Sequence, residues 1–217
     1  MTRPHRHMII VPGLPHHVVL RANNRRNLFS RAHDRLRFLR FLAEARGPDP
    51  CAVFALALMT NHVHLIILAI SFEGTWKWIK DFAQRYAMHR NREQGASGKV
   101  FEQRYGIEAI KTERQLAATT AYIDLNPARA GIASPWTTRA LHAGNGPVVP
   151  AIREIWTPSQ WWLGLGADDD ARHAQYRELC ELRQESWAAD VVRPHAPRPA
   201  AHSRSSRPNR PDRSKVA

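Results

Sequence analysis

Apolar and polar positions change period several times along this chain, and each change predicts an element. Residues 16–21 (HHVVLR) read as a first strand, followed over 22–27 by a polar loop that carries Arg25 and Arg26. Residues 32–45 set Leu36, Phe38, Leu39 and Leu42 at helical spacing with arginines between them, until Gly47-Pro48 and Pro50 end the pattern. Two apolar runs follow, 51–59 and 62–69, joined at Thr60-Asn61 and close enough to form a hairpin. Residues 74–91 return to a helical period, with Trp78, Phe82 and Tyr86 at i, i+4 and i+8, a stripe that reads as core rather than as a base-stacking platform. A polar loop over 92–99 leads to a fourth strand at 105–111. Thr112, with Gln115 three residues on, opens a further helix through a capping-box pattern. That helix is expected to stop before Pro127, because proline disfavours helical geometry at Asn126.

The order strand, helix, strand, strand, helix, strand, helix predicts an α+β fold. Its core is a ferredoxin-like βαββαβ unit, a four-stranded antiparallel sheet with helices on one face, followed by one more helix that carries Tyr122. Residues 1–131 are expected to form this domain and 132–192 a C-terminal helical extension. Residues 193–217 are Pro, Ser, Arg and Ala with almost nothing apolar, and are expected to be a disordered basic tail.

Charge adds a partner to this picture. The formal net charge is +13, which argues for a polyanion, either nucleic acid or an acidic membrane surface. About half of the excess lies in the tail, where six Arg and one Lys face one Asp. The short arm with Arg3, His5, Arg6 and His7 reads by default as solvated tail, the alternative being a segment that lies along phosphates. No apolar run approaches the roughly 18 residues of a spanning helix, and residues 8–11 are too short for a signal-peptide core. The expectation is a protein with no membrane partner, cytoplasmic and nucleoid-associated. Two distant cysteines, Cys51 and Cys180, make neither a disulfide framework nor a zinc spacing and read as packing residues.

The chemistry concentrates at 60–64. Side chains alternate on a strand, so His62 and His64 leave the backbone on the same side. With Ala, Val, Leu, Ile and Phe around them, they require a metal, a carboxylate or a carbonyl as partner. Tyr122 and Asn126, four residues apart on a predicted helix, share one helix face, so phenol and amide can point at one place.

Three words of the sequence resemble the HUH single-tyrosine transposases, and within them the REP-associated tyrosine transposases. They are Pro12-Gly13-Leu14-Pro15-His16-His17-Val18 with Arg21, then Met59-Thr60-Asn61-His62-Val63-His64-Leu65, then Tyr122-Ile123-Asp124-Leu125-Asn126-Pro127-Ala128-Arg129-Ala130-Gly131. The resemblance runs from about residue 8 to 138, where Pro135-Trp136-Thr137-Thr138 is similar to the family's Pro-Trp-Ser-Ser. It implies a ferredoxin-like fold, a divalent metal held by His62 and His64, and Tyr122 as the nucleophile. The implied activity is that of a transposase, a single-strand DNA nicking and joining enzyme. It forms a 5′-phosphotyrosine with a free 3′-OH on DNA with short palindromic hairpins. The implied cofactor is Mg²⁺ or Mn²⁺. Hard Mg²⁺ prefers oxygen, however, while imidazoles suit Zn²⁺, Mn²⁺ or Ni²⁺ better.

The residue types suit that chemistry. Phosphodiester cleavage builds negative charge on phosphate oxygens, which a divalent cation offsets, and a tyrosine hydroxyl with a reference pKa of about 10 needs help to lose its proton. Asn126 is the candidate third metal ligand, or else a cap on the turn before Pro127. Tyr86 and Tyr105 read as packing, and Tyr176 lies beyond the resembling region. Arg21, Arg25, Arg26, Arg104, Lys111 and Arg129 are the candidate DNA-binding residues, since arginine's fork suits phosphates. Where the family reads Leu-Trp-Gln-Gly-Arg-Phe, this chain has Val100-Phe101-Glu102-Gln103-Arg104-Tyr105, keeping the arginine but not the Trp or Gly. Two alternatives belong to other classes: a nucleic-acid-binding regulator on the same fold without catalysis, and a zinc hydrolase using the same histidines. The protein could act as monomer or homodimer.

Overall fold

The computed structural model describes residues 9–47, 51–132 and 155–182. Strand β1 (Pro15–Arg21), helix α1 (Ala32–Glu44), the hairpin of β2 (Ala52–Leu58) and β3 (His62–Leu68), helix α2 (Phe72–Glu93), strand β4 (Gly106–Ala109) and helix α3 (Glu113–Arg129) follow in the predicted order. Helices α4 (Gln160–Leu163) and α5 (Asp169–Leu182) come after them. The strands lie in the order β2-β3-β1-β4, every neighbouring pair antiparallel, which is the split βαβ arrangement.

Alternation along the strands gives the sheet two faces with different cover. On one, Val18 and Leu20, Val53 and Leu56, and Val63, Leu65 and Ile67 pack against Phe38 and Leu42 of α1 and Trp78, Ile79, Phe82 and Tyr86 of α2. Full burial of such side chains contributes about 1.5–3 kcal/mol each, so this cluster is the main source of stability. The polar tips within it are satisfied. Tyr86 donates its hydroxyl to the Leu28 carbonyl at 2.6 Å, and Trp78 its Nε1–H to the Leu42 carbonyl at 3.2 Å. The aromatic stripe is core, as its spacing predicts.

The other face carries α3. Ala55, Ala57 and Met59 of the hairpin and Ile66 pack with Ile110, Leu116 and Ile123, so small residues on β2 let this helix approach closely. Thr112 caps its start, with Oγ1 accepting from the Gln115 N–H at 3.1 Å, while Gln115 Oε1 reaches back to the Lys111 N–H at 2.9 Å.

Three boundaries differ from the sequence expectation. Helix α3 does not stop before Pro127 but runs to Arg129 with Pro127 inside it. The missing N–H costs one bond in the last turns, where Ala130 N–H still reaches the Asn126 carbonyl and Ile132 N–H the Pro127 carbonyl. Burial of Ile123, Leu125 and Pro127 outweighs that loss. Helix α2 begins at Phe72 because Ser71 Oγ accepts from the Gly74 N–H, a cap three residues ahead of the expected helical pattern. The fourth strand pairs only over Gly106–Ala109, since the chain before it is held instead by an isolated Ala22–Phe101 bridge and a Glu102 N–H to Arg21 carbonyl bond.

Residues 155–157 run along the outer side of β2, with Thr157 N–H bonded to the Val53 carbonyl at 2.8 Å and Trp156 Nε1–H to the Phe54 carbonyl at 3.0 Å. Tyr176 and Cys180 of α5 then pack with Trp162 against Ala121 and Leu125 of α3. Cys51 and Cys180 are buried and not joined in a disulfide. No helix among the described residues is long and apolar enough to cross a membrane. The basic arm at 3–7, the Pro135–Thr138 match and the expected tail at 193–217 lie outside the described residues.

Candidate active site

His62 and His64 point from β3 onto the face that carries α3, with ring centroids 4.8 Å apart and planes at 81°. The β1–β3 register fills in the row beside them: Arg21 lies opposite His62, Val19 opposite His64 and His17 opposite Ile66. His17 is therefore the diagonal neighbour of His64, within reach of its ring. Its Nε2 lies 2.9 Å from His64 Nδ1, and the two rings stack at 5.1 Å and 22°. Tyr122 comes down on this pair from α3, meeting His64 edge-on at 5.6 Å and His17 at 6.4 Å between ring centroids.

Asn126 lies one turn beyond Tyr122. It does not cap the helix, whose C-cap is Ala130, so the capping alternative falls away with the longer α3. Its Nδ2 is buried without a hydrogen-bond partner among the described residues.

Electrostatics keep both imidazoles of the pair neutral. Burial, and then the Arg21 charge, pushes His62 down to about 4. Burial, then His17, His62 and Arg21, holds His64 well below the usual histidine range. A neutral imidazole offers a lone pair, and for His62 the hydrogen bond says which nitrogen carries it. His62 donates Nδ1–H to Asn61 Oδ1 at 2.7 Å, which leaves Nε2 as its lone-pair nitrogen. His64 is engaged at Nδ1, while its Nε2 is buried with no hydrogen-bond partner among the described residues. Such an orphan is costly in an apolar setting unless something binds it. Two imidazole nitrogens of this kind fit a divalent cation. Among the described residues no three His, Cys, Asp or Glu side chains gather to hold an ion, so two imidazoles are the strong donors the chain supplies.

The candidate DNA-binding residues separate. Arg21 ends β1 beside His62, and Arg25 and Arg26 follow it in an exposed turn where Asn24 and Arg25 take φ of 55°. Bonds from Asn23 N–H to the Val100 carbonyl and from Glu102 N–H to the Arg21 carbonyl hold the loop of Arg104 at this same end. Lys111 is not with them: Ile110 N–H bonds the Pro15 carbonyl, at the opposite end of the sheet. Arg129 is exposed at the end of α3, about two turns past Tyr122.

The other tyrosines have structural places. Tyr86 is in the main core, where burial pushes its phenol far up, and Tyr105 packs against the same cluster. Tyr176 donates to Asp124.

His17 and Asn61 are the residues to which sequence reasoning assigns no role, although both stand inside the quoted words. Alternation puts His17 on the side of Arg21 and opposite to His16, and that much is readable. Its meeting with His64 depends on the β1–β3 register. His16, by contrast, is a structural histidine: its Nε2 accepts from the Val11 N–H at 3.0 Å and its Nδ1 faces the Leu14 carbonyl at 2.8 Å.

Comparison with known proteins bears on the fold and the family. No curated protein sequence matches the chain significantly. A solved structure described as "Structure of the REP associates tyrosine transposase bound to a REP hairpin" superposes with a TM-score of 0.53 at 15% identity, covering 73% of this chain and 93% of that one. An identity this low speaks to the fold. Residues 10–126, more than half of the chain, match the family described as "Transposase IS200 like". That span holds β1 through Asn126, with His17, His62, His64 and Tyr122 inside it, and this chain belongs to the IS200-like transposase family.

Proposed function

We propose that this protein is a metal-dependent nicking and joining enzyme for single-stranded DNA, with Tyr122 as the nucleophile and His62, His64 and Asn126 as metal ligands. The observation that carries the reading is the Tyr122 ring set edge-on to His64, whose Nε2 is buried and unpartnered. Residues 1–131 form the catalytic domain in this reading and 132–192 a C-terminal helical extension.

In the reaction the Tyr122 Oη attacks the scissile phosphorus, giving up its proton as the new P–O bond forms. The bond to the 3′ oxygen breaks, and that oxygen leaves as a 3′-OH. The DNA strand 3′ to the nick stays attached through a 5′-phosphotyrosine, and attack by a second 3′-OH reverses the step to rejoin. A divalent Mg²⁺ or Mn²⁺, when bound, offsets charge on the phosphate oxygens. The chain's own part is to hold two neutral imidazoles at a fixed place on a rigid sheet and to bring the phenol to them on a helix. Arg21, Arg25, Arg26 and Arg104 face incoming phosphates from the His62 end.

The substrate class follows the structural neighbour, whose description names a REP hairpin, together with the positive charge of this chain. The test uses single-stranded hairpin DNA taken from palindromes flanking the coding region and labelled at its 3′ end, incubated with Mn²⁺ or Mg²⁺. A labelled protein–DNA adduct is expected on a denaturing gel, and Tyr122→Phe abolishes it. Adduct retained by that variant moves the nucleophile elsewhere. Tight binding without cleavage by the unmodified protein favours a regulator, and turnover with zinc and no adduct favours a hydrolase.

A further inference from the structure

His64 can offer Nε2 to a cation only as the Nδ1–H tautomer, and a neutral imidazole chooses its tautomer by the hydrogen bond its other nitrogen makes. For His62 that choice is made within the hairpin by Asn61 Oδ1, which accepts from Nδ1–H. For His64 the Nδ1 partner is a second imidazole, His17 Nε2 at 2.9 Å. One hydrogen lies between the two nitrogens. If His17 donates it, His64 carries its own hydrogen on Nε2, the atom buried without a partner. If His64 donates it, Nε2 becomes a lone pair, and His17 carries its hydrogen on Nδ1. The first arrangement leaves a donor stranded, and the second leaves an acceptor aimed where the cation is expected.

We propose that His17 is a positioning residue for the metal site. It accepts the Nδ1–H of His64 and so fixes that ring in the tautomer and orientation that present Nε2. The inference rests on the metal reading given above and adds to it a third histidine that does not touch the ion. Three further observations support it. His17 is fully buried and its ring stacks on His64 at 22°, so neither ring is free to turn over. The Tyr122 ring sits edge-on to both, closing the pair from the α3 side. Across the β1–β4 pairing, Glu108 occupies the position directly opposite His17, so a carboxylate stands on the same face beside the ring that must carry its hydrogen on the far nitrogen. The two candidate ligands are then built alike, each held at Nδ1 by a neighbouring side chain and open at Nε2.

Two measurements on the full chain test this. Long-range ¹H–¹⁵N NMR of the metal-free protein with labelled histidine reads the His64 tautomer directly: Nδ1–H is expected, and Nε2–H overturns the proposal whatever the metal does. Calorimetric Mn²⁺ titration then compares His17→Gln, whose amide oxygen can still accept from His64, with His17→Leu, which cannot. His17→Leu is expected to weaken Mn²⁺ binding about 10- to 100-fold while His17→Gln retains most of it. Equal affinity in His17→Leu and the unmodified protein overturns the positioning role, as does equal loss in both variants, which marks a packing defect. His64→Ala is the separate control for the underlying reading: if it leaves Mn²⁺ binding unchanged, the metal assignment fails rather than the role of His17.

Discussion

The Tyr176 hydroxyl on α5 donates to Oδ2 of Asp124 on α3 at 2.8 Å, both residues buried, and Asp124 stands two residues from Tyr122. A segment about fifty residues further along the chain thus reaches back to the helix that carries the proposed nucleophile. Losing a buried hydrogen bond and leaving its acceptor unsatisfied costs about 1–3 kcal/mol. Tyr176→Phe is expected to lower unfolding free energy by about that amount in urea melts. It is also expected to slow adduct formation more than it weakens Mn²⁺ binding, because α3 carries the nucleophile and only one of the three proposed ligands, Asn126, while the two β3 histidines stay in place. Loss of Mn²⁺ binding in step with adduct formation contradicts that division of labour.

Acid should weaken the metal-free protein in a defined window. His62 is held down to about 4 by burial and Arg21, and His16 and His64 are lowered as well, burial being the largest cause in each. The unfolded chain therefore binds more protons than the folded one between about pH 4 and the ordinary histidine value near 6.5. The stability these groups contribute is complete above pH 6.5 and is lost as the pH falls toward 4. Urea midpoints measured in EDTA should fall steadily across that interval, and His64→Ala should flatten part of the slope. A midpoint that rises on acidification reverses the sign and rejects the assignment.

Salt dependence separates the two ends of the sheet. Removing one cationic side chain that neutralises a phosphate of single-stranded DNA reduces the slope of log K against log salt by about 0.7. Arg21→Ala and Arg25→Ala are each expected to show such a reduction, whereas Lys111→Ala, at the Pro15 end, should leave the slope near that of the unmodified protein. Fluorescence anisotropy over a salt series decides it. A full reduction for Lys111→Ala would place bound DNA along the sheet rather than at its His62 end.

Tyr86→Phe serves as the contrasting tyrosine variant. Leaving the Leu28 carbonyl without its 2.6 Å donor should cost about 1–3 kcal/mol in a buried setting, while adduct yield at temperatures where the protein stays folded should not change. Reduced adduct in the folded variant would tie Tyr86 to the chemistry.

The element order and the pairing of His62 with His64 are legible in the sequence because both depend on short-range periodicity: two residues for the strand, and three to four for α2 with its Trp78, Phe82 and Tyr86. The approach of Tyr122 is readable only through the resemblance, since i, i+4 spacing says that it shares a face with Asn126 and not which surface that face meets. Strand register is the harder quantity. A shift of one position would send His17 to the α1 and α2 side, and nothing local to residues 12–18 sets it. The end of α3 escapes sequence reasoning for a related reason. Proline's local preference is strong, but tertiary burial of Ile123, Leu125 and Pro127 overrides it. Lys111 groups with the arginines in sequence because it flanks a strand, and only topology tells which end of the sheet that strand's terminus occupies.

The run of residues 155–157 along β2 reaches beyond the packing of the extension. An unpaired rim of a sheet is a template for a strand from another molecule, and here the chain's own later segment takes up the Val53 carbonyl and covers the neighbouring positions with Trp156. Strand addition is thereby hindered around Val53 and Phe54, so close crowding of many copies need not seed sheet-to-sheet polymers through that stretch.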